Sequence, residues 1–153
     1  MATLGGGAQA WSLQGGDPVQ LHVAEWAQGD TFRTCESVES AHTSHDTSAQ
    51  INEAFGAHEA VRLDSQTKYA VVAAGAADAY LRLPTRPGYV ERIWDHAAGA
   101  LVATEAGAVV SDIHGKALNF SLGRGLEENK GVICAVPEAH RLILKRIEEL
   151  DLG

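Results

Sequence analysis

Apolar and polar residues alternate only weakly at the start of the chain and then settle into a repeating strand–helix order. AQAWSL (Ala8–Leu13) and VQLHVAEW (Val19–Trp26) read as two strands, with a turn at Gln14–Pro18. A two-stranded ribbon is marginal in water, so residues 1–31 read as the torn edge of a larger sheet. From Phe32 onward the spacing predicts a helix over Thr47–Gly56 with Asp46 as N-cap, then a short strand over Ala60–Leu63. A second helix spans Ser65–Gly75, with Asp64 or Ser65 as its cap. A strand over Asp78–Leu83 stops at Pro84, and the prolines of PTRPGY keep Pro84–Tyr89 irregular. Ile93–Ala106 reads as a helix followed by Gly107. AVVSDI and GVICAV read as strands, and Glu138–Leu150 as an amphipathic helix. This alternation predicts an α/β layered domain with helices packed on a central sheet.

Composition narrows the class of function. The chain has 153 residues, enough for one domain with a core, and 45% of them are hydrophobic. Lys and Arg number 12 against 20 Asp and Glu, for a net charge of −8, which argues against nucleic acid as a partner. A few placed cations or metal ions would still allow a small anionic ligand. Cys35 and Cys134 lack metal-ligand spacing and fit a reducing compartment. No apolar run approaches the ~20 residues of a membrane span. MATLGGGAQAW lacks the basic and apolar regions of a signal peptide, so the expected location is the cytoplasm, away from membranes.

Four stretches carry candidate chemistry, each with a plainer alternative. Asp95 opens a helical run in WDHAAG, where it is either an N-cap or a metal ligand; Ala97, Ala98 and Gly99 would let a ligand approach the helix end. In LDSQTKYA, Ser65 and Lys68 lie at i and i+3 on a first helical turn. They suit a phosphate, or else a cap with a solvated lysine. Arg82 shares a strand face with Tyr80, opposite Leu81 and Leu83; it could clamp a phosphate with paired donors or sit exposed on an edge strand. His42 and His45 are three apart, but Cys35 alone does not complete a Zn²⁺ site, and a histidine contacting a ligand is the better reading.

In their order, SAHTSHD, LDSQTKYA, DAYLRLP, IWDHAAGALVATEAGAVVSD, KALNF and KGVICA resemble the 3′(2′),5′-bisphosphate nucleotidases of the inositol monophosphatase-like superfamily. GGGAQAWSL is similar to the end of that family's first domain, so the likeness is to the family's C-terminal half. The resemblance implies a layered α/β sandwich whose C-terminal domain has a mixed central sheet and flanking helices. It places remnant strands of the first domain at 1–31 and a nucleotide-binding domain at 32–153. It implies Mg²⁺ as cofactor and adenosine 3′,5′-bisphosphate, or a related phosphorylated small molecule, as substrate. Asp95 matches the metal-ligating aspartate of the family's second motif. His42, Ser65, Lys68 and Arg82 match residues that hold the nucleotide and its non-reacting phosphate. Gly107-Ala108 stands where the family usually has Gly-Gly. No Asp-Pro-x-Asp-Gly-Thr block occurs in the chain, so the resemblance implies an incomplete metal site, no catalytic residues of the first half, and no phosphatase activity unaided. The rival readings are a non-catalytic nucleotide-binding or interaction module, which pairs with an N-terminal half or with itself, and an inositol-phosphate phosphatase.

Overall fold

The strand Ala79–Arg82 sits at the centre of the fold, and its alternation explains the layers on either side. The computed structural model describes residues 1–39, 43–57 and 59–152. In chain order the elements are β1 (Ala2–Thr3), β2 (Gly7–Ala10), β3 (Val19–Gln20), β4 (Thr34–Ser37), α1 (His45–Ala54), β5 (Val61–Leu63), α2 (Thr67–Ala73), β6 (Ala79–Arg82), α3 (Ala97–Glu105), β7 (Val109–Ser111), β8 (Val132–Ala135) and α4 (Pro137–Glu149). A mixed five-stranded sheet runs β5-β4-β6-β8-β7, parallel across β5, β4 and β6 and antiparallel across β6, β8 and β7. This is the α/β architecture that the sequence predicts.

From β6, Ala79 and Leu81 enter a core with Ile51 of α1 and Ala139, Ile143 and Ile147 of α4. Tyr80 points the other way, into a core with Cys35, Tyr69, Val72, Ala100, Ala103 and Cys134 between the sheet and α2 and α3. Fully burying one of the larger of these side chains contributes about 1.5–3 kcal/mol. On the outer side of α2 and α3 lies a small antiparallel sheet, β1-β2-β3, joined to them through Ala8, Ala73 and Ala106. The order of layers is therefore small sheet, α2 with α3, large sheet, α1 with α4. Ala108 fits its methyl into the core beside Ala103, so the Gly-Ala exit from α3 is filled.

Several boundaries differ from the sequence reading, for local reasons. The strand expected over Val19–Trp26 is regular only over Val19–Gln20; Leu21 N–H still donates to the Ala8 carbonyl at 2.8 Å, and beyond it Val23 N–H donates to the Ala106 carbonyl at 3.0 Å and Trp26 packs on Phe32 at 5.2 Å between ring centroids. Ser44, not Asp46, takes the N-cap position of α1. The helix expected from Ser65 begins at Thr67, because Ser65 adopts φ +56°, outside helical geometry. The helix expected over Ile93–Ala106 is split: Ile93–Asp95 form a 3₁₀ turn and His96, at φ −133°, breaks the path before α3. β4 has no counterpart in the sequence reading. TCES carries no apolar alternation, yet all four of its residues are buried between β5 and β6.

α4 is fastened to β7 through a buried histidine. Ser111 Oγ donates to the Asp112 carbonyl at 2.8 Å and lies 2.7 Å from His140 Nε2, so that nitrogen donates to the hydroxyl. Burial holds the His140 imidazole below its ordinary value, favouring the neutral form in the folded chain. The unfolded chain takes up that proton first as pH falls below about 6.5. Stability is therefore expected to fall between there and the lower folded value. Urea midpoints at pH 7.5 and 5.5 check this: His140→Gln should shrink the difference, and an unchanged difference would contradict it.

Candidate functional site

The C-terminal ends of the parallel strands β4, β5 and β6 open onto one cavity of about 600 Å³. Its walls include Ser37 from β4, Asp64 and Ser65 after β5, Gln66 and Lys68 around the start of α2, Tyr80 and Arg82 from β6, and Trp94 and Asp95 from the 3₁₀ turn. Ligands of open α/β sheets commonly sit at such strand ends. The structure thus brings Ser65, Lys68, Arg82 and Asp95 together around one space. His42 lies outside the described residues. His45 does not line this cavity; its Nε2 is 3.2 Å from the Ser37 carbonyl and its Nδ1 3.8 Å from Glu36.

Lys68 is not the solvated lysine of the plainer reading. It is buried, and its ammonium donates to the carbonyls of Leu63 at 3.1 Å and Ser65 at 2.7 Å. Those bonds hold the turn in which Ser65 takes its left-handed backbone, and they leave the third ammonium proton for a ligand. Burial, then the neighbouring Arg82, hold this ammonium below its ordinary value, while Asp64 and Asp95 act in the opposite direction. Ser65 is exposed, with its hydroxyl 3.3 Å from Thr67 N–H as a local turn acceptor.

Arg82 is not on an edge strand; β6 is central and the side chain is buried. Its Nη2 donates to Glu91 Oε2 at 2.6 Å. Glu91 Oε2 is also 3.1 Å from His96 Nε2, and His96 Nδ1 is 2.8 Å from the Tyr69 hydroxyl. With Glu91 ionised, Nε2–H donates to the carboxylate and the Tyr69 hydroxyl partners Nδ1, so both ring nitrogens are satisfied. Burial pushes the Glu91 carboxyl up, but the bonds from His96 and Arg82 outweigh it and hold it below the usual range.

Asp95 is exposed at the cavity wall, and the N-cap position of α3 belongs to His96, without a side-chain cap bond. Gln66 ties α3 instead: its Oε1 accepts from Gly99 N–H at 2.6 Å and its Nε2 donates to the Trp94 carbonyl at 2.9 Å. Gly99 is small for packing rather than for a ligand, because a Cβ there would collide with the Tyr69 ring.

The family model described as "Inositol monophosphatase family" matches residues 1–152. The chain belongs to the inositol monophosphatase family. Among relatives, it is 45% identical over 120 residues to a "3′(2′),5′-bisphosphate nucleotidase" of Schizosaccharomyces pombe, covering 78% of this chain and 34% of that protein. It is 40% identical over 149 residues to an Oryza sativa protein of the same name, covering 97% of this chain and 41% of that one. The chain thus spans about a third to two fifths of these curated relatives. Of solved structures, Mycobacterium tuberculosis SuhB matches with a TM-score of 0.64 at 22% identity, over 98% of this chain and 53% of that one. The Thermotoga maritima IMPase matches at the same TM-score and identity, over 88% and 48%. These two show the fold.

Within this family member, Glu91, His96, Tyr69, Gln66 and Ser37 are residues that sequence reasoning missed. His96 was in plain view in WDHAAG, but its partners come from α2 and from the loop after β6. Among the described residues no group of three or more His, Cys, Asp and Glu is placed to hold a metal ion. The described residues contain no helix long and apolar enough to cross a membrane.

Proposed function

We propose that this chain carries the nucleotide- and phosphate-holding part of a cytoplasmic 3′(2′),5′-bisphosphate nucleotidase, with residues 32–153 as its nucleotide-binding domain. The observation that supports it best is the one cavity lined by Ser65, Lys68, Arg82 and Asp95. The names of the curated relatives point the same way. On this reading Ser65, Lys68 and Arg82, with His42 from the sequence match, hold the substrate and its non-reacting phosphate. Asp95 faces the reacting phosphate as a ligand for Mg²⁺, which supplies charge neutralisation and an activated water when bound. The large exposed apolar residues Leu4, Trp11, Leu13 and Val19 near the small sheet support a further part of the reading: assembly with an N-terminal half or with a second copy.

Adenosine 3′,5′-bisphosphate is expected to bind more tightly than adenosine 3′-monophosphate, because on this reading only the bisphosphate carries the non-reacting 5′-phosphate that meets Lys68 and Arg82. Lys68→Met keeps the aliphatic stem and removes the ammonium. It should erase most of that preference, about 1.5–3 kcal/mol for a charge-assisted hydrogen bond. The ratio of the two affinities is the readout, since the substitution also loosens the Ser65 turn and affects both nucleotides through it. Calorimetry giving equal affinities for both nucleotides on the unmodified chain would overturn the proposal.

A further inference from the structure

Two buried polar atoms in this cavity have no protein partner among the described residues: Ser37 Oγ and Arg82 Nε. Ser37 is 2% exposed and Arg82 5%, and both line the cavity. Their nearness follows from the sheet. β4 and β6 run parallel with Thr34 opposite Ala79 and Cys35 opposite Tyr80. Two residues further on, Ser37 and Arg82 end their strands on the same face as Cys35 and Tyr80.

Both groups are fixed. Arg82 Nη2 is held on Glu91 at 2.6 Å and lies 3.4 Å from the Tyr89 hydroxyl, so Nε–H has little freedom to turn elsewhere. Ser37 is paired opposite Leu63 of β5, and its carbonyl lies 3.2 Å from His45 Nε2. A buried polar group left unpaired is costly, and both of these belong to residues that line one cavity, so the pair suits a ligand group that accepts from both. A guanidinium N–H can only donate, and a hydroxyl beside it can rotate its proton to do the same. The matching group is an oxygen bearing negative charge and several lone pairs, which describes a phosphate rather than a purine nitrogen or an amine.

We propose that Ser37 is a substrate-binding residue whose hydroxyl, together with Arg82 Nε, donates to a phosphate of the bound molecule. The identity of that molecule as a nucleotide rests on the function proposed above; the donor pair does not. Ser37→Ala removes the hydroxyl and nothing that the protein itself bonds to, so a binding role and a structural role separate cleanly. The melting temperature should hold or rise, while affinity for adenosine 3′,5′-bisphosphate should fall about tenfold or more.

The test is calorimetry on the chain and on Ser37→Ala with four probes: adenosine 3′,5′-bisphosphate, adenosine 3′-monophosphate, adenosine 5′-monophosphate and inorganic phosphate. A loss for one monophosphate and not the other supports the proposal and tells which phosphate sits at Ser37. Equal losses for both monophosphates point to the shared nucleoside and overturn the phosphate assignment. Unchanged affinity for every probe overturns the proposal, as does a lowered melting temperature with a uniform loss of binding. If the unmodified chain binds no nucleotide, the nucleotide reading fails. In that case, phosphate binding lost in Ser37→Ala upholds the donor pair, and no phosphate effect overturns it as well.

Discussion

Replacing Glu91 by alanine is expected to cost about 3–5 kcal/mol of folding stability, the range seen when one partner of a buried ion pair is removed. The side chains of Arg82 and Glu91 are 6% and 4% exposed and meet at 2.6 Å. Without the carboxylate, a guanidinium stays buried without a counter-charge and His96 Nε2–H loses its acceptor. A loss of that size is a large share of the 5–15 kcal/mol that holds an ordinary domain together. Glu91→Gln keeps an acceptor and should lose less. Arg82→Met with Glu91→Leu removes both charges and should recover much of the deficit. Urea denaturation followed by circular dichroism gives all three values. An alanine variant within about 1 kcal/mol of the unmodified chain would show that the pair is far better solvated than its burial implies.

The second large effect concerns turnover. Alone, the chain is expected to show negligible Mg²⁺-dependent phosphatase activity, since Mg²⁺ keeps strict geometry and a single carboxylate holds it weakly. A polypeptide carrying an Asp-Pro-x-Asp-Gly-Thr block should restore activity when mixed with it. Asp95→Asn should then lower that activity on the order of a thousandfold, the effect of losing several kcal/mol of charge stabilisation at the reacting phosphate. Glu105 is badly placed to substitute for Asp95. It closes the far end of α3, where it accepts from Gly5 and Gly7 N–H, each at 2.8 Å. Asp64 lines the same cavity and is the control to mutate alongside. Phosphate release measured from the 153-residue chain alone, lost in Asp95→Asn, would refute this account.

The sequence carries the layers of this fold more clearly than it carries the site. Alternation in AYLR separates Leu81, which enters the α1 and α4 core, from Tyr80 on the opposite face. The strong amphipathic spacing of α4 survives to within a residue at each end. β4 escaped notice because its signal is positional. TCES is polar in composition and becomes a strand through its neighbours on both sides. At the site, residue types and spacing marked Ser65, Lys68, Arg82 and Asp95 one by one, the family resemblance joined them, and the structure sets them around one space, but the sequence reading misjudged how several of them are held. Burial of Lys68 depends on carbonyls behind it in the chain. Burial of Arg82 depends on a carboxylate beyond an irregular loop. Gly99 looked like room for a ligand because the ring that fills that room belongs to another helix. Pairings made across elements leave no periodic trace.

Among the described residues, every one that lines the cavity falls between Ser37 and Asp95. β7, β8 and α4 complete the sheet and supply much of its core without contributing to that wall. Selection therefore acts on the two parts of the chain through different quantities. Drift between β4 and the 3₁₀ turn is filtered by what the cavity accepts. Drift after Gly107 is filtered chiefly by whether the sheet still closes, a demand that many combinations of apolar side chains meet, and at Arg124 and Leu126 by the bonds to the segment that carries Glu91 and Trp94. Residues after Gly107 reach the ligand only through what they hold: Arg124 lies over the Trp94 ring at 5.3 Å, Leu126 N–H donates to the Glu91 carbonyl, and Val132 pairs opposite Arg82.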